Sequence, residues 1–188
     1  MIRTSQLDPN FKNEIANEPG GENIKRCFNC TGCTVGCPVS EIGIGFNPRK
    51  IIRKALLGMR NQVLTDEYIW LCAFCYLCYE RCPQNVKINE VIGAIRTIAQ
   101  KEARAGNIKL RTPKFLFDSM FIDSVRKNGR WHETAVTSMF MLKTKGISGI
   151  IDYASIGLKL FKKGKLSILP HKIRGTDQIE RMMREVRK

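Results

Sequence analysis

Apolar residues recur along most of this chain at helical spacing, and no stretch shows clear strand-like alternation. Ile88, Val91, Ile92, Ile95, Ile98 and Ala99 form one stripe running from about Asn89 to Ala103, the pattern of a helix with a single buried face. Asn47-Pro48 supplies an N-cap and a proline at the first helical position, followed by Ile51, Ile52, Ala55 and Leu56 on one face, with Gly58 near the stop. A further start at Thr65-Asp66-Glu67 leads through Tyr68, Ile69 and Leu71 into Cys72. Thr112-Pro113 opens a helix carrying Phe115, Leu116, Phe117, Met120, Phe121 and Val125, with Gly129 fitted to its end. More helices are predicted near Glu133 to Lys145, Gly149 to Lys163 and Asp177 to Arg187. The expected fold is mainly α. Residues 1–23, with Pro9, Pro19, Gly20 and Gly21, read as an N-terminal arm that orders against a neighbour.

Onto this helical pattern one repeat is written twice. CFNCTGCTVGCPVS begins at Cys27 and CAFCYLCYERCPQN begins at Cys72, and both carry the spacing C-x2-C-x2-C-x3-C-P. The two runs hold all 8 cysteines of the chain. Three thiolates at three-residue intervals along a tight loop wrap three corners of one [4Fe–4S] cube. The fourth lies beyond an extra residue and before a proline, Pro38 or Pro83, that stops the chain from continuing as a helix, so it serves the other cube. The expected ligand sets are therefore Cys27, Cys30, Cys33 and Cys82 for one cluster and Cys72, Cys75, Cys78 and Cys37 for the other. Such crossed ligation ties the runs together and makes metal binding part of folding. Zinc is the competing metal, but structural zinc sites pair two-cysteine or Cys/His units into closed tetrahedra, whereas here each run has a third cysteine at the same interval.

Composition narrows the class. An apolar fraction of 43% and a charged fraction of 26% over 188 residues describe an ordinary folded chain with room for one good core or two small ones. The first residues lack the apolar stretch of a secretory signal, and no charge-free run approaches the roughly 20 residues needed to span a bilayer. The expectation is a cytoplasmic, reducing setting, where cysteines serve as metal ligands rather than as disulfides. The formal charge of +15 is lowered by ligating thiolates but stays strongly positive, which suits an acidic protein partner, an anionic cofactor or nucleic acid alike.

The remaining residues offer no catalytic constellation. There is no Gly-rich dinucleotide fingerprint, no spare cysteine and no nucleophile–base arrangement. His132 and His171 stand apart from the cysteine runs and form no metal-spaced pair, so both read as structural or surface residues. Lys143-Thr144-Lys145, Lys159 to Lys165 and Arg181 to Lys188 read as solvated helix faces or ends, with recognition of an acidic partner as the alternative. The Phe and Met residues of the C-terminal helices pack among themselves or onto the cluster domain, or form a docking surface for a partner protein.

The two runs with a helical segment between them resemble the α-helical ferredoxin domain of multi-subunit oxidoreductases, over about residues 24–105, leaving 106–188 as a helical C-terminal extension. The whole chain resembles the C-type iron–sulfur subunit of the heterodisulfide reductase of methanogenic archaea, in the two runs and in the segments GFNPRKIIRKALLGM, TDEYIWLCAFCYLC and TPKFLFDSMFIDSVRKNGRWHE. That resemblance implies an anaerobic electron-transfer subunit with two [4Fe–4S] clusters and no active site of its own. It would relay electrons from a flavin-containing A-type subunit to a catalytic B-type subunit that reduces the mixed disulfide of coenzymes M and B in methanogenesis. It further implies flavin-based electron bifurcation, with ferredoxin as co-acceptor and hydrogenase or formate dehydrogenase as electron source, and neither a nucleic-acid partner nor a membrane span. The Cys-Cys-Gly motifs of the family's catalytic subunit do not occur here. Succinate dehydrogenase and fumarate reductase subunits share the helical module but need further cysteines for a [2Fe–2S] centre. An iron–sulfur subunit of another CCG-containing enzyme, oxidising glycerol phosphate or lactate, and a basic nucleic-acid-binding protein with a structural cluster are the other readings.

Overall fold

The computed structural model describes residues 7–110, 112–167 and 171–185. Within them the chain forms helices α1 (Phe11–Asn17), α2 (Gly32–Val35), α3 (Pro38–Glu41), α4 (Pro48–Leu56), α5 (Arg60–Leu64), α6 (Leu77–Glu80), α7 (Ile88–Arg104), α8 (Pro113–Asn128), α9 (Glu133–Lys145), α10 (Ile147–Lys162) and α11 (Thr176–Glu185), with 3-10 turns at Ile24–Arg26 and Glu67–Leu71. No strand occurs among the described residues. The protein is mainly α, and it divides into two units, Met1–Thr112 and Pro113–Lys188.

The core of the first unit is the apolar stripe of α7 packed among shorter pieces. Ile88, Val91, Ile92, Ile95, Ile98 and Ala99 are buried, together with Ile51, Ile52 and Ala55 of α4 and Val63 and Leu64 of α5. Each large aliphatic side chain so enclosed contributes about 1.5–3 kcal/mol. The start of α4 is fixed by its cap: the Asn47 side chain accepts from the Lys50 N–H at 2.9 Å, and Pro48 occupies the first turn, where no N–H is needed.

The N-terminal residues expected to form an arm contribute to this core. Phe11 and Ile15 of α1 are fully buried, and Arg60 clamps Glu14 through two hydrogen bonds of 2.8 Å while also reaching Glu102 at 3.0 Å. Lys101 pairs with Glu18. The Asp8 N–H donates to the carbonyl of Gly58 at 2.7 Å. Gly58 has φ of +77°, and a Cβ there would lie 2.3 Å from the Asp8 carbonyl oxygen, so only glycine allows that approach. Residues 106–112 fall within the first unit, and the division comes at Pro113 rather than at the boundary near residue 105 expected from the sequence.

In the second unit α8 ends where Gly129 takes φ of +74° and donates to the Val125 carbonyl at 2.7 Å. Aromatic packing joins α8 to α9: Phe121 stacks on Trp131 at 4.9 Å, and Phe117 meets Trp131 and Phe140, each at 5.5 Å. His132 is buried and caps α9, its Nδ1 accepting from the Ala135 N–H at 3.2 Å, which gives it the structural role expected of it. His171 is exposed. Ile147, Ile151, Ile156, Leu158 and Phe161 of α10 remain exposed, although amphipathic helices ordinarily cover such residues. No helix of the described residues is long and apolar enough to cross a membrane.

Candidate metal centre

The cysteine repeat is also a repeat of backbone. Ile24 and Ile69 each stand three residues before the first cysteine of their run, each within a 3-10 turn and each fully buried. Asn29 and Phe74, two residues past that cysteine, have φ of +67° and +52°; Thr31 and Tyr76, one residue past the second cysteine, have +74° and +63°. The third cysteine then sits in a single helical turn, Cys33 in α2 and Cys78 in α6.

Left-handed backbone at a bulky side chain costs on the order of 1–3 kcal/mol per residue, and such strain persists where the surroundings over-determine it. Alternating left-handed residues turn successive N–H groups inward to form an anion-binding nest. Among the described residues, no N–H from 28 to 33 or from 73 to 78 donates to a backbone carbonyl. These donors are left for sulfur. Val86 already donates its N–H to the Cys82 sulfur at 3.4 Å, and the backbone of Phe74 and of Asn89 counters the effect of burial on Cys72 and Cys78.

Cys37, Cys72, Cys75 and Cys78 line one pocket, enclosed further by Val39, Phe46, Pro48, Ala73, Asn89 and Ile92. Three of these thiols come from the second run and the fourth from the first. In the first run, Cys27 and Cys30 add to the rise of the Cys33 thiol. Arg81, adjacent to Cys82, lies over Gly32 and Gly36 at the two ends of α2. A Cβ on Gly36 would stand 2.2 Å from the Arg81 guanidinium. That contact carries the Cys82 end of the second run to the helix of Cys33.

The chemistry of the donors fits iron–sulfur clusters. All 8 cysteines are free thiols. Burial pushes Cys33 and Cys78 up to about 11, with neighbouring cysteines adding to the rise, and Cys72 is raised chiefly by burial as well. Half-buried thiols in such number become thiolates only when cationic metal compensates their charge. Among the described residues, no three His, Cys, Asp or Glu converge as they would around a single ion; a four-iron cube holds its thiolates further apart.

Three residues not singled out by their sequence support the loops. Arg96 of α7 donates to the carbonyls of Ile69 at 2.8 Å and Cys72 at 3.1 Å and lies over the rings of Phe74 and Trp70. Thr34 Oγ1 accepts from the Arg49 N–H at 3.2 Å, contacts Asn47 Oδ1 at 3.1 Å and stands 4.0 Å from the Cys33 sulfur. Asn89 is 1% exposed. A polar residue inside the apolar stripe of α7 was a visible signal for it; Arg96 and Thr34 carried none.

Residues 23–86 match the family described as "4Fe-4S dicluster domain". The chain is 42% identical over 118 residues to the C 2 iron–sulfur subunit of the CoB–CoM heterodisulfide reductase of Methanocaldococcus jannaschii, covering 58% of this chain and 60% of that protein. It is 41% identical over 115 residues to the C2 subunit of the H(2)/formate:CoB-CoM heterodisulfide,ferredoxin reductase of Methanococcus maripaludis, covering 57% and 60%. Over 82 residues it is 39% identical to the C-type subunit of the ferredoxin:CoB-CoM heterodisulfide reductase of Methanosarcina mazei, covering 44% and 50%. The chain thus spans about half to three fifths of these relatives' length. Its residues 23–86 match a 4Fe–4S dicluster domain, in a sequence similar to the C-type iron–sulfur subunits of methanogen heterodisulfide reductases.

Proposed function

We propose that this chain is an electron-transfer subunit of a heterodisulfide reductase, holding two [4Fe–4S] clusters on crossed ligand sets: Cys27, Cys30, Cys33 and Cys82, and Cys72, Cys75, Cys78 and Cys37. The pocket that gathers Cys37 with the three leading thiols of the second run carries this reading, and the names of the similar proteins support the assignment to heterodisulfide reduction. Clusters of this kind supply one-electron storage and transfer. The protein's own residues would hold the thiolates and donate N–H groups to sulfur, as Val86 does to Cys82.

On this reading the chain contributes no catalytic residue. Electrons enter from a flavin-containing A-type subunit and leave to a catalytic, CCG-containing B-type subunit that cleaves the disulfide of coenzymes M and B, in a cytoplasmic, anaerobic assembly coupled to ferredoxin by bifurcation. Residues 24–105 are the relay, and the helical residues 106–188 dock it to a partner. The similar proteins are named for hydrogen, formate or ferredoxin as electron source, so the donor follows from the partner rather than from this chain.

The test uses the complex purified under anoxia and reduced to the point where both cluster signals are present. Adding the heterodisulfide should reoxidise the clusters of this chain only when the CCG-containing protein is bound. Clusters that remain reduced in the intact complex would exclude the relay, and reoxidation driven instead by glycerol phosphate dehydrogenation products or pyruvate would assign the chain to another CCG-type enzyme.

A further inference from the structure

The two cysteine loops are alike in backbone, but the helices packed against them differ at their second residue, in α4 for the first half and in α7 for the second. In the first half that residue is Arg49 of α4, partly exposed, whose N–H is taken by Thr34 Oγ1. In the second half it is Asn89 of α7, which is buried and stands beside the Cys78 thiol in the same pocket.

The Asn89 side chain adds a second difference. It lines the pocket formed by Cys37, Cys72, Cys75 and Cys78, and neither its Oδ1 nor its Nδ2 has a hydrogen-bond partner within the protein. A carboxamide enclosed without partners is costly, and native structures keep one only where something else satisfies it. Ligated thiolates and inorganic sulfides accept hydrogen bonds and cannot donate them, so an amide facing them turns its NH2 inward.

We infer that the Asn89 carboxamide donates a hydrogen bond to sulfur of the cluster seated among Cys72, Cys75, Cys78 and Cys37, and that this donor holds that cluster at a higher reduction potential than its twin. Reduction adds negative charge to the cluster, and a donor aimed at sulfur stabilises the more negative state. In the singly reduced protein the electron therefore rests on the cluster of the second run. Asn89 acts as a positioning and tuning residue and touches no substrate. The inference rests on the proposed cluster assignment.

The test is a potentiometric titration followed by electron paramagnetic resonance, on the full chain loaded with iron and sulfide, in the wild type and Asn89→Leu. One midpoint should fall so that its reduced-to-oxidised ratio at fixed potential drops about tenfold, equivalent to about 59 mV for one electron, while the other stays in place. Two unmoved midpoints at full iron content would overturn the inference and leave the cluster assignment intact. A wild type that binds no iron would overturn both. Should Asn89→Leu fail to load, the wild type decides the matter: with asparagine labelled by 15N at the side-chain amide, pulsed resonance of the reduced protein should show a coupled nitrogen on one cluster. Absence of that coupling would contradict the hydrogen bond.

Discussion

Arg96 lays its guanidinium over the ring of Phe74, 4.8 Å from the centroid, and Phe74 is one of the residues held in left-handed backbone inside the second cysteine run. The same arginine donates to the carbonyl of Cys72, the first thiol of that run. The Phe74 ring also lies against Gly93, where an added Cβ would be in ordinary contact at 3.6 Å. A long helix thus grips a strained loop at three points, through charge, through the ring and through main chain.

Replacing Arg96 should loosen that grip. Hydrogen bonds from a charged donor contribute about 1.5–3 kcal/mol each, and a cation over an aromatic ring about 0.5–2 kcal/mol. Arg96→Met keeps much of the stem volume and removes the donors. It should speed loss of one cluster to an iron chelator by at least about tenfold, as followed by the visible absorbance of the loaded protein, and leave the other cluster's loss unchanged. Equal rates in the variant and the wild type would show that the loop keeps its shape without the arginine.

Crossed ligation predicts that a thiol acts on the cluster it is far from in sequence. Cys37→Ser should alter the spectroscopic signature of the cluster held by Cys72, Cys75 and Cys78, and Cys82→Ser that of the cluster held by Cys27, Cys30 and Cys33. Both variants disturbing the cluster of their own run would reverse the assignment.

The N-terminal helix should behave as part of the core. Phe11 is wholly enclosed and has Arg60 over its ring at 5.9 Å, so Phe11→Ala should cost about 3–5 kcal/mol in denaturant unfolding of the loaded protein. A loss below about 0.5 kcal/mol, the range of ordinary surface substitutions, would mean that these residues dock elsewhere.

Much of this arrangement is legible in the sequence because its signals are local. The Asn47-Pro48 cap, the stripe of α7 and the Thr112-Pro113 start each specify a helix from neighbouring residues, and α4, α7, α8 and α9 begin and end close to the expected places. The segment from Thr65 becomes a 3-10 turn, Glu67–Leu71, capped by Asp66, because the chain must change direction to deliver Cys72 into its loop. Burial of Phe11 and Ile15 was hidden, since it depends on Gly58 and Arg60, far along the chain. The left-handed residues were hidden for another reason. Phe, Tyr and Thr are poor formers of that backbone, and only the geometry of the thiolate loops demands it of them.

Iron and acid-labile sulfide, determined per chain on protein purified without oxygen, test the central claim most directly. Two [4Fe–4S] clusters on these ligands require about eight of each. About two zinc ions per chain with no sulfide, or iron and sulfide at half the expected amount in intact protein, would contradict the account.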